Sequence, residues 1–274
     1  MILREAIATA EAKLCKAGIE AARLEAQVLA AEVLGEDRSY VLAHLDDGFD
    51  QAAFARIVEQ RSKGEPLAYV LGWREFYSRR YEVNPSVLVP RHETETLVEL
   101  ALDWIRDRAS AVVADVGTGS GCIGISLALE CGTCSVIGSD ISADALDVAK
   151  ANARALGAEI GLVRSDLVDA FRASSIDLIV CNPPYVATSD ELPAEIEQHE
   201  PHGALFGGTD GLDVYRRLAS ECDRVVRSGG AIAVELGDRR AEAVASLFGE
   251  CGWRLMRTAA DLQGIDRASV FERR

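Results

Sequence analysis

A run of glycines at alternate positions constrains the fold of this 274-residue chain more than any other sequence feature. It lies between an apolar stretch typical of a strand, Val112–Val116, and a predicted helix that begins at Cys122. Glycine adopts positive φ freely and lets a ligand approach the backbone closely. In a doubly wound sheet, ligands bind beyond the carboxyl ends of the strands, which is where this loop would lie. The loop comprises Asp115, Val116, Gly117, Thr118, Gly119, Ser120 and Gly121.

Strand and helix patterns alternate along the chain after about residue 93, beginning with a helix predicted over 93–108. Apolar strands are predicted at Val112–Val116, Ser135–Ser139, Gly161–Arg164, Ile176–Cys181, Ala231–Glu235, Arg254–Thr258 and Ser269–Glu272. Helices are predicted between most of them, at Cys122–Glu130, Ala143–Leu156, Leu212–Val226 and Arg239–Cys251. This alternation predicts an α/β fold over residues 91–274, with a doubly wound, Rossmann-like parallel sheet covered by helices on both faces.

The first 65 residues have a different pattern, with apolar side chains such as Leu3 and Ile7 at helical spacing and glycines that end each stretch. We therefore predict two or three short helices that pack as a small bundle. Residues 66–90 contain strand formers such as Tyr81 together with prolines, which predicts a β-hairpin linker between the two parts.

Acidic residues at the ends of the predicted strands indicate which class of ligand the loop binds. Asp140 ends the second predicted strand of the sheet, where a carboxylate can accept hydrogen bonds from both ribose hydroxyls. Asp166 follows the third strand and would face the adenine. The nicotinamide dinucleotide fingerprint would need a glycine where Cys122 stands. Because Asp115 would repel a pyrophosphate but attract a cation, we predict S-adenosylmethionine, which carries a sulfonium and an ammonium group.

The tetrad Asn182-Pro183-Pro184-Tyr185 follows the buried strand at Ile176–Cys181, at the same rim as the glycine loop. An amide nitrogen is a poor nucleophile because its lone pair is delocalised, so a catalyst must hold its N–H groups and aim it. The Asn182 side-chain oxygen and the Pro183 carbonyl can accept those hydrogen bonds. The two prolines fix the backbone, and Tyr185 offers a flat face for stacking. We predict that these four residues bind and activate a planar amide or amino group, and that Asn182 also contacts the cofactor.

The charge of the chain bears on its partners, and its cysteine content bears on its compartment. The chain has 44 acidic and 29 basic residues, a net charge of -15 and no long basic run, so no stable nucleic-acid complex is expected. It shows neither a signal peptide nor a membrane-spanning apolar stretch, which predicts a cytoplasmic chain without membrane association. The seven cysteines are predicted to be free thiols, and no metal or redox role is expected for Cys131 and Cys134. The acidic run over 190–200 is interpreted as a solvated helix face.

Several segments beyond the loop and the tetrad match one known family. They are Gly64–Tyr69, Gly72–Phe76, Val89–Arg91, Glu93-Thr94, Glu200-Pro201, Ala204-Leu205, Asp210-Gly211, Ser228–Gly230 and Asp261–Arg267. With these, nearly the whole chain resembles the HemK/PrmC family, the peptide chain release factor glutamine methyltransferases. The resemblance implies a helical domain over 1–65 that recognises the release factor, joined by a hairpin to a class I methyltransferase domain.

The same resemblance implies methylation of the glutamine in the Gly-Gly-Gln motif of class I release factors. It also places Leu167 at the cofactor, where some family members have a tryptophan. Two further departures are His92, where the family usually has proline, and Cys181, where serine is common.

Three alternatives remain open at this stage. An N6-adenine nucleic-acid methyltransferase shares the tetrad and the loop, but it would need a basic track. A ribosomal-protein glutamine methyltransferase would use the same chemistry, although the Gly64–Tyr69 segment favours the release-factor branch. A binding module that has the fold without the activity would not need an intact tetrad.

Overall fold

The computed structural model describes residues 2–108 and 110–273, and it divides the chain into two compact units. The first unit comprises Met1–Trp73 together with Leu192–His199, and the second comprises Arg74–Glu191 and Glu200–Arg274. Among the described residues, no helix is long and apolar enough to cross a membrane.

The N-terminal stretch of the first unit contains five helices among its described residues. They are α1 (Leu3–Lys16), α2 (Ala22–Leu34), α3 (Arg38–Ala43), α4 (Gln51–Ser62) and α5 (Leu67–Leu71). Buried apolar side chains such as Leu14, Leu29 and Phe54 form its core. The prediction of two or three helices missed the short helix α3, which begins where the Asp37 side chain accepts a hydrogen bond from the Tyr40 backbone N–H.

Arg61 is a buried cation of the first unit, with 4% of its surface exposed. Its Nε donates to Glu25 in α2 at 2.6 Å, and its Nη1 lies 3.0 Å from Glu195. Because a buried charge is stable only when it is paired, a carboxylate from the distant 192–199 segment completes this unit.

A two-stranded hairpin begins at Trp73, where the N-terminal stretch of the first unit ends, with β1 at Trp73–Phe76 and β2 at Arg79–Glu82. The turn uses Tyr77 and Ser78, both with positive φ. The Tyr81 side chain is fully buried, and its hydroxyl lies 2.9 Å from Ser126 Oγ. The hairpin therefore occupies only part of the predicted 66–90 linker, since Leu67–Leu71 is helical and residues 83–90 belong to no helix or strand.

The central sheet of the second unit has seven strands in the order β5-β4-β3-β6-β7-β9-β8. They are β3 (Val112–Val116), β4 (Ser135–Asp140), β5 (Ile160–Arg164), β6 (Ile176–Cys181), β7 (Val226–Glu235), β8 (Trp253–Ala260) and β9 (Asp266–Arg273). Strands β3 to β7 pair in parallel, whereas β9 runs antiparallel to β7 and β8. The predicted doubly wound α/β fold is confirmed. The strand order reverses between β3 and β6, where such sheets bind ligands.

Helices cover both faces of this sheet. A 3-10 helix at His92–Thr94 leads into α6 (Glu95–Ile105), followed by α7 (Cys122–Cys131), α8 (Ala143–Leu156), α9 (Ala194–His199), α10 (His202–Leu205), α11 (Asp213–Val225) and α12 (Ala241–Glu250), of which α9 belongs to the first unit. Two buried apolar layers result, one that includes Leu97 and Ile125 and another that includes Tyr215 and Phe248. These layers fix the strand ends at which the candidate site lies.

The prediction that every cysteine is a free thiol is wrong for Cys131 and Cys134, which form a disulfide. The helix α7 ends at Cys131, and Gly132 then adopts a φ of 65°. This turn brings the two Cα atoms to 5.8 Å, a separation that a disulfide can span. The free thiols of the described residues are Cys15, Cys122, Cys181, Cys222 and Cys251.

Candidate functional site

The glycine loop connects the end of β3 to the start of α7. Gly117, Gly119 and Gly121 have φ values of 72°, 54° and 82°, which favour glycine at each position. The backbone N–H groups of Gly117 and Thr118 donate to the Ser139 carbonyl on β4 at 2.8 and 2.9 Å. The loop is therefore attached to the neighbouring strand, and its backbone is set before any ligand binds.

Asp115, at the end of β3, is hydrogen-bonded to this loop. It is fully buried, and its Oδ2 accepts hydrogen bonds from Thr118 Oγ1 at 2.6 Å and from the Gly124 N–H at 2.9 Å. Burial raises the pKa of the carboxyl to about 6, against the lowering effect of these two hydrogen bonds. Asp115 lies outside the cavity lining described below, and its two hydrogen bonds hold the loop to the start of α7.

Asp140 stands at the end of β4 with both carboxylate oxygens oriented by the backbone. Its Oδ2 accepts from the Gly119 N–H at 3.0 Å, and its Oδ1 accepts from the Ser142 N–H at 2.9 Å. A carboxylate oxygen has lone pairs for further donors. The side chain can therefore bind hydroxyl groups while it holds the glycine loop.

A cavity of about 330 Å³ opens beyond these strand ends, within the second unit. This volume lies in the range of small-molecule sites, which start at ~300 Å³. Of the residues predicted from the sequence, the cavity is lined by Gly117, Thr118, Gly119, Ser120, Asp140, Asp166, Leu167, Asn182 and Pro184, whereas Asp115, Gly121, Pro183 and Tyr185 are not part of its lining. Most of the glycine loop, together with Asn182 and Pro184 of the tetrad, thus lines one cavity.

Asp166 and Leu167 form the part of the wall that follows β5. The Asp166 Oδ1 accepts a hydrogen bond at 3.0 Å from Arg217 on α11, a cavity residue that sequence reasoning did not identify. Leu167 adopts a φ of 43°, which is uncommon for a residue with a side chain. Arg217 lies on an ordinary amphipathic helix, so nothing in the local sequence marks it as part of the site.

Asn182 and Tyr185 of the tetrad contact two residues from other parts of the second unit. The Asn182 Nδ2 donates to Thr94 Oγ1 at 3.4 Å, and the Tyr185 hydroxyl donates to Glu235 Oε1 at 3.5 Å. Burial raises the pKa of Tyr185 to about 12, so its hydroxyl stays protonated and remains a donor. Thr94 and Glu235 therefore orient the polar ends of the tetrad.

Three glycines lie against the tetrad so closely that no side chain fits. A Cβ atom on Gly207 would be 2.3 Å from the Pro184 carbonyl oxygen, and one on Gly211 would be 2.3 Å from that of Tyr185. A Cβ atom on Gly237 would be 2.8 Å from Cδ2 of the Tyr185 ring. The loop that contains Gly207 is also hydrogen-bonded to the tetrad's next residue, since the Gly207 N–H donates to the Val186 carbonyl at 2.9 Å.

An ion pair with a buried carboxylate holds two further segments of the cavity wall together. Arg91 Nη2 lies 2.5 Å from Oε1 of Glu200, and the Val89 N–H donates to Oε2 of the same carboxylate at 3.2 Å. Glu200 is only 4% exposed, so the interpretation of the whole acidic run as a solvated face is wrong for this residue. Its charge is balanced by Arg91, which precedes the 3-10 helix that contains Thr94.

Comparisons with known proteins agree with this architecture. Residues 5–72 match the family model of the PrmC N-terminal domain, and residues 93–198 match that of the methyltransferase small domain. A methyltransferase from Pyrococcus furiosus has a similar structure, with a TM-score of 0.54 and 17% identity over 81% of this chain and 98% of that one. At that identity the likeness supports the fold alone.

Two relatives resemble the chain over most of its length. The release factor glutamine methyltransferase of Bordetella pertussis is 44% identical over 90% of this chain and 93% of its own length. That of Moorella thermoacetica is 39% identical over 100% of this chain and 99% of its own length.

Proposed function

The chain belongs to the release factor glutamine methyltransferase family, and from this premise we propose that it methylates release factors. The methyl group passes from S-adenosylmethionine to the side-chain amide nitrogen of the glutamine in the Gly-Gly-Gln motif of class I release factors. The observation that supports this chemistry best is the position of Asn182, which lines the same cavity as the glycine loop and Asp140.

The residues of the cavity fit the cofactor. The glycines of the loop allow the cofactor to approach the backbone closely. Asp140 has free lone pairs at the place where a ribose would lie. When bound, S-adenosylmethionine supplies an electrophilic methyl group on a sulfonium. We assign cofactor binding to the loop and Asp140, with Asp166 and Leu167 at the adenine.

The tetrad activates the substrate amide, which is a poor nucleophile. The Asn182 side-chain oxygen and the Pro183 carbonyl accept hydrogen bonds from the two N–H groups of the substrate amide, which holds its nitrogen toward the methyl donor. Acceptors in fixed positions stabilise the positive charge that develops on this nitrogen as the methyl group transfers. The two prolines and the close-packed glycines keep these acceptors in place.

We assign recognition of the release factor to the first unit, whose residues 5–72 match the PrmC N-terminal domain. Because release factors act on ribosomes, we place the protein in the cytoplasm. The net charge of -15 gives no support to a stable nucleic-acid complex.

The test of this function is methyl transfer from labelled S-adenosylmethionine to a purified class I release factor, with the label located by mass spectrometry. We expect one methyl group on the glutamine of the Gly-Gly-Gln motif and none on a release factor in which that glutamine is alanine. An adenine-containing oligonucleotide and ribosomal protein serve as competing substrates. Label on either of these, with none on the release factor, would refute the proposal.

A further inference from the structure

Asn152 is a buried amide on α8 that the chemistry above does not use. It is 1% exposed, and its side-chain oxygen accepts a hydrogen bond from the Glu82 N–H at 2.6 Å. Its Nδ2 donates to two carbonyl oxygens, that of Glu82 at 2.9 Å and that of Ser120 at 2.8 Å. Both amide protons and a lone pair of the oxygen are engaged, so these partners fix the orientation of the side chain.

The partners of Asn152 belong to two different segments of the second unit. Glu82 ends β2, and the amide bonds both its N–H and its carbonyl, as the backbone of a neighbouring strand would. Ser120 belongs to the glycine loop and lines the cavity. The Asn152 side chain therefore joins the hairpin to the loop that we assign to the cofactor.

The same face of α8 also packs against the residue that follows Ser120. Ala149 lies three residues before Asn152, and a Cβ atom on Gly121 would be 3.2 Å from the Ala149 Cβ. The Gly121 N–H donates to the Thr118 carbonyl at 2.8 Å. Because the Ser120 carbonyl accepts from Asn152, both polar groups of the peptide between Ser120 and Gly121 are hydrogen-bonded within the protein.

This peptide is a place where the loop can change conformation. Gly121 has a φ of 82°, and glycine adopts more backbone conformations than any other residue. If Asn152 were removed, the Ser120 carbonyl would lose its partner in a buried position, which is unfavourable. The loop would then adopt other conformations in which this carbonyl has a partner, and these would differ from the one that lines the cavity.

We propose that Asn152 is a positioning residue of the cofactor site, which holds the glycine loop in its binding conformation through the Ser120 carbonyl. The inference rests on the proposed function, in which S-adenosylmethionine is the cofactor. A ligand binds only the fraction of molecules that have the competent conformation, so the apparent Kd rises by the inverse of that fraction. Asn152 therefore acts on cofactor affinity, whereas Asn182 acts on methyl transfer.

The variants Asn152→Ala and Asn152→Leu remove both donors, and the second of them keeps a branched side chain of similar shape. Both residues favour a helix more than asparagine does, which partly offsets the loss of the hydrogen bonds in α8. We expect the Kd for S-adenosylmethionine in calorimetry to rise by ~10–100-fold in each, the effect of leaving a buried carbonyl unpaired.

Tyr81→Phe is the matched control. It breaks another buried link of the same hairpin, between the Tyr81 hydroxyl and Ser126 Oγ, and leaves the glycine loop untouched. We expect a lower Tm and a wild-type Kd for S-adenosylmethionine in this variant. If Asn152→Ala likewise lowered the Tm and kept the wild-type Kd, Asn152 would be a structural residue only, and the proposal would be overturned.

Single-turnover methyl transfer to release factor separates cofactor affinity from chemistry. In Asn152→Ala we expect the half-saturating concentration of S-adenosylmethionine to rise, while the rate constant at saturation stays close to that of the wild type. A loss confined to the rate constant at saturation would contradict the assignment. If wild-type protein bound the cofactor but left release factor unmethylated, the proposed function would fall, and the calorimetric comparison would still decide the role of Asn152.

Hydrogen exchange in the cofactor-free wild type is a readout that requires no variant. The two side-chain amide protons of Asn152 and the Gly121 N–H all donate to carbonyls, so NMR of ¹⁵N-labelled protein should show slow exchange for all three. Exchange of the Asn152 protons as fast as in an exposed amide would overturn the proposal, even if the variants failed to fold.

Discussion

The backbone N–H of Gly119 donates to Oδ2 of Asp140 at 3.0 Å, which joins the glycine loop after β3 to the end of β4. One carboxylate thus holds the loop and is available to ribose hydroxyls. In Asp140→Ala both functions are lost, and each polar group left unpaired costs ~1–3 kcal/mol. We expect the Kd for S-adenosylmethionine to rise by at least tenfold in calorimetry. Wild-type affinity would remove Asp140 from the cofactor site.

Asn182→Ala should separate binding from chemistry. We expect cofactor affinity close to that of the wild type, while turnover falls by ~10²–10³-fold, because the lost acceptor acts mainly as charge develops on the substrate nitrogen. Single-turnover methyl transfer to release factor at saturating donor measures the effect. A rate near that of the wild type would show that the tetrad is only a structural turn.

Tyr185 should depend on its ring more than on its hydroxyl. Tyr185→Phe keeps the flat face and loses the hydrogen bond to Glu235, a contribution of ~0.5–1.5 kcal/mol. We expect its rate of methyl transfer to fall by no more than about tenfold, since ~1.4 kcal/mol corresponds to a factor of ten. Tyr185→Ala should be far slower. Equal losses in the two variants would show that the hydroxyl is the essential part.

Gly207→Ala tests the close packing against the tetrad. The new methyl group would lie 2.3 Å from the Pro184 carbonyl oxygen, so the backbone of the tetrad must shift. Small displacements at a reaction centre cost up to ~10²-fold in rate, and we expect a loss of this order together with a lower Tm. Gly249→Ala is the matched control, because nothing lies within 4 Å of its added methyl group. Equal rates in both variants would contradict the packing argument.

Asp115 should make stability fall as the pH rises. Burial raises the pKa of its carboxyl from 3.8 to about 6, so between these values the folded state binds the proton more tightly than the unfolded state. The free energy of unfolding therefore decreases across that window, by about 3 kcal/mol for this group at ~1.4 kcal/mol per pKa unit. Urea unfolding at several pH values should show this decrease in the wild type relative to Asp115→Asn. A constant difference between the two proteins would contradict the shift.

The parts of the molecule that the sequence predicted well depend on local patterns. The strands Val112–Val116 and Ile176–Cys181 and the helix Ala143–Leu156 have the bounds expected from apolar runs and glycine stops. The placement of the glycine loop and the tetrad at one rim follows from the rule that parallel strands end at the same edge.

The parts that the sequence did not predict depend on contacts between distant segments. Arg217 reaches Asp166 from α11, and Thr94 reaches Asn182 from the 3-10 helix, so neither role can be deduced from neighbouring residues. Glu235 carried one usable signal, because it is a charged residue at the end of an otherwise apolar strand. Glu200 was wrongly assigned to a solvated face because burial, which the sequence does not give, decides what a carboxylate does.

The ion pair between Arg61 and Glu195 has a consequence for how the chain folds as it is synthesised. The ribosome makes Arg61 early, but it makes Glu195 only after β6 and the tetrad. Until then Glu25 is the carboxylate among the described residues that pairs with Arg61, and the N-terminal helices form an unfinished unit. Translation thus delays the completion of this unit until much of the second unit has been synthesised, so the two units are expected to mature together on the nascent chain.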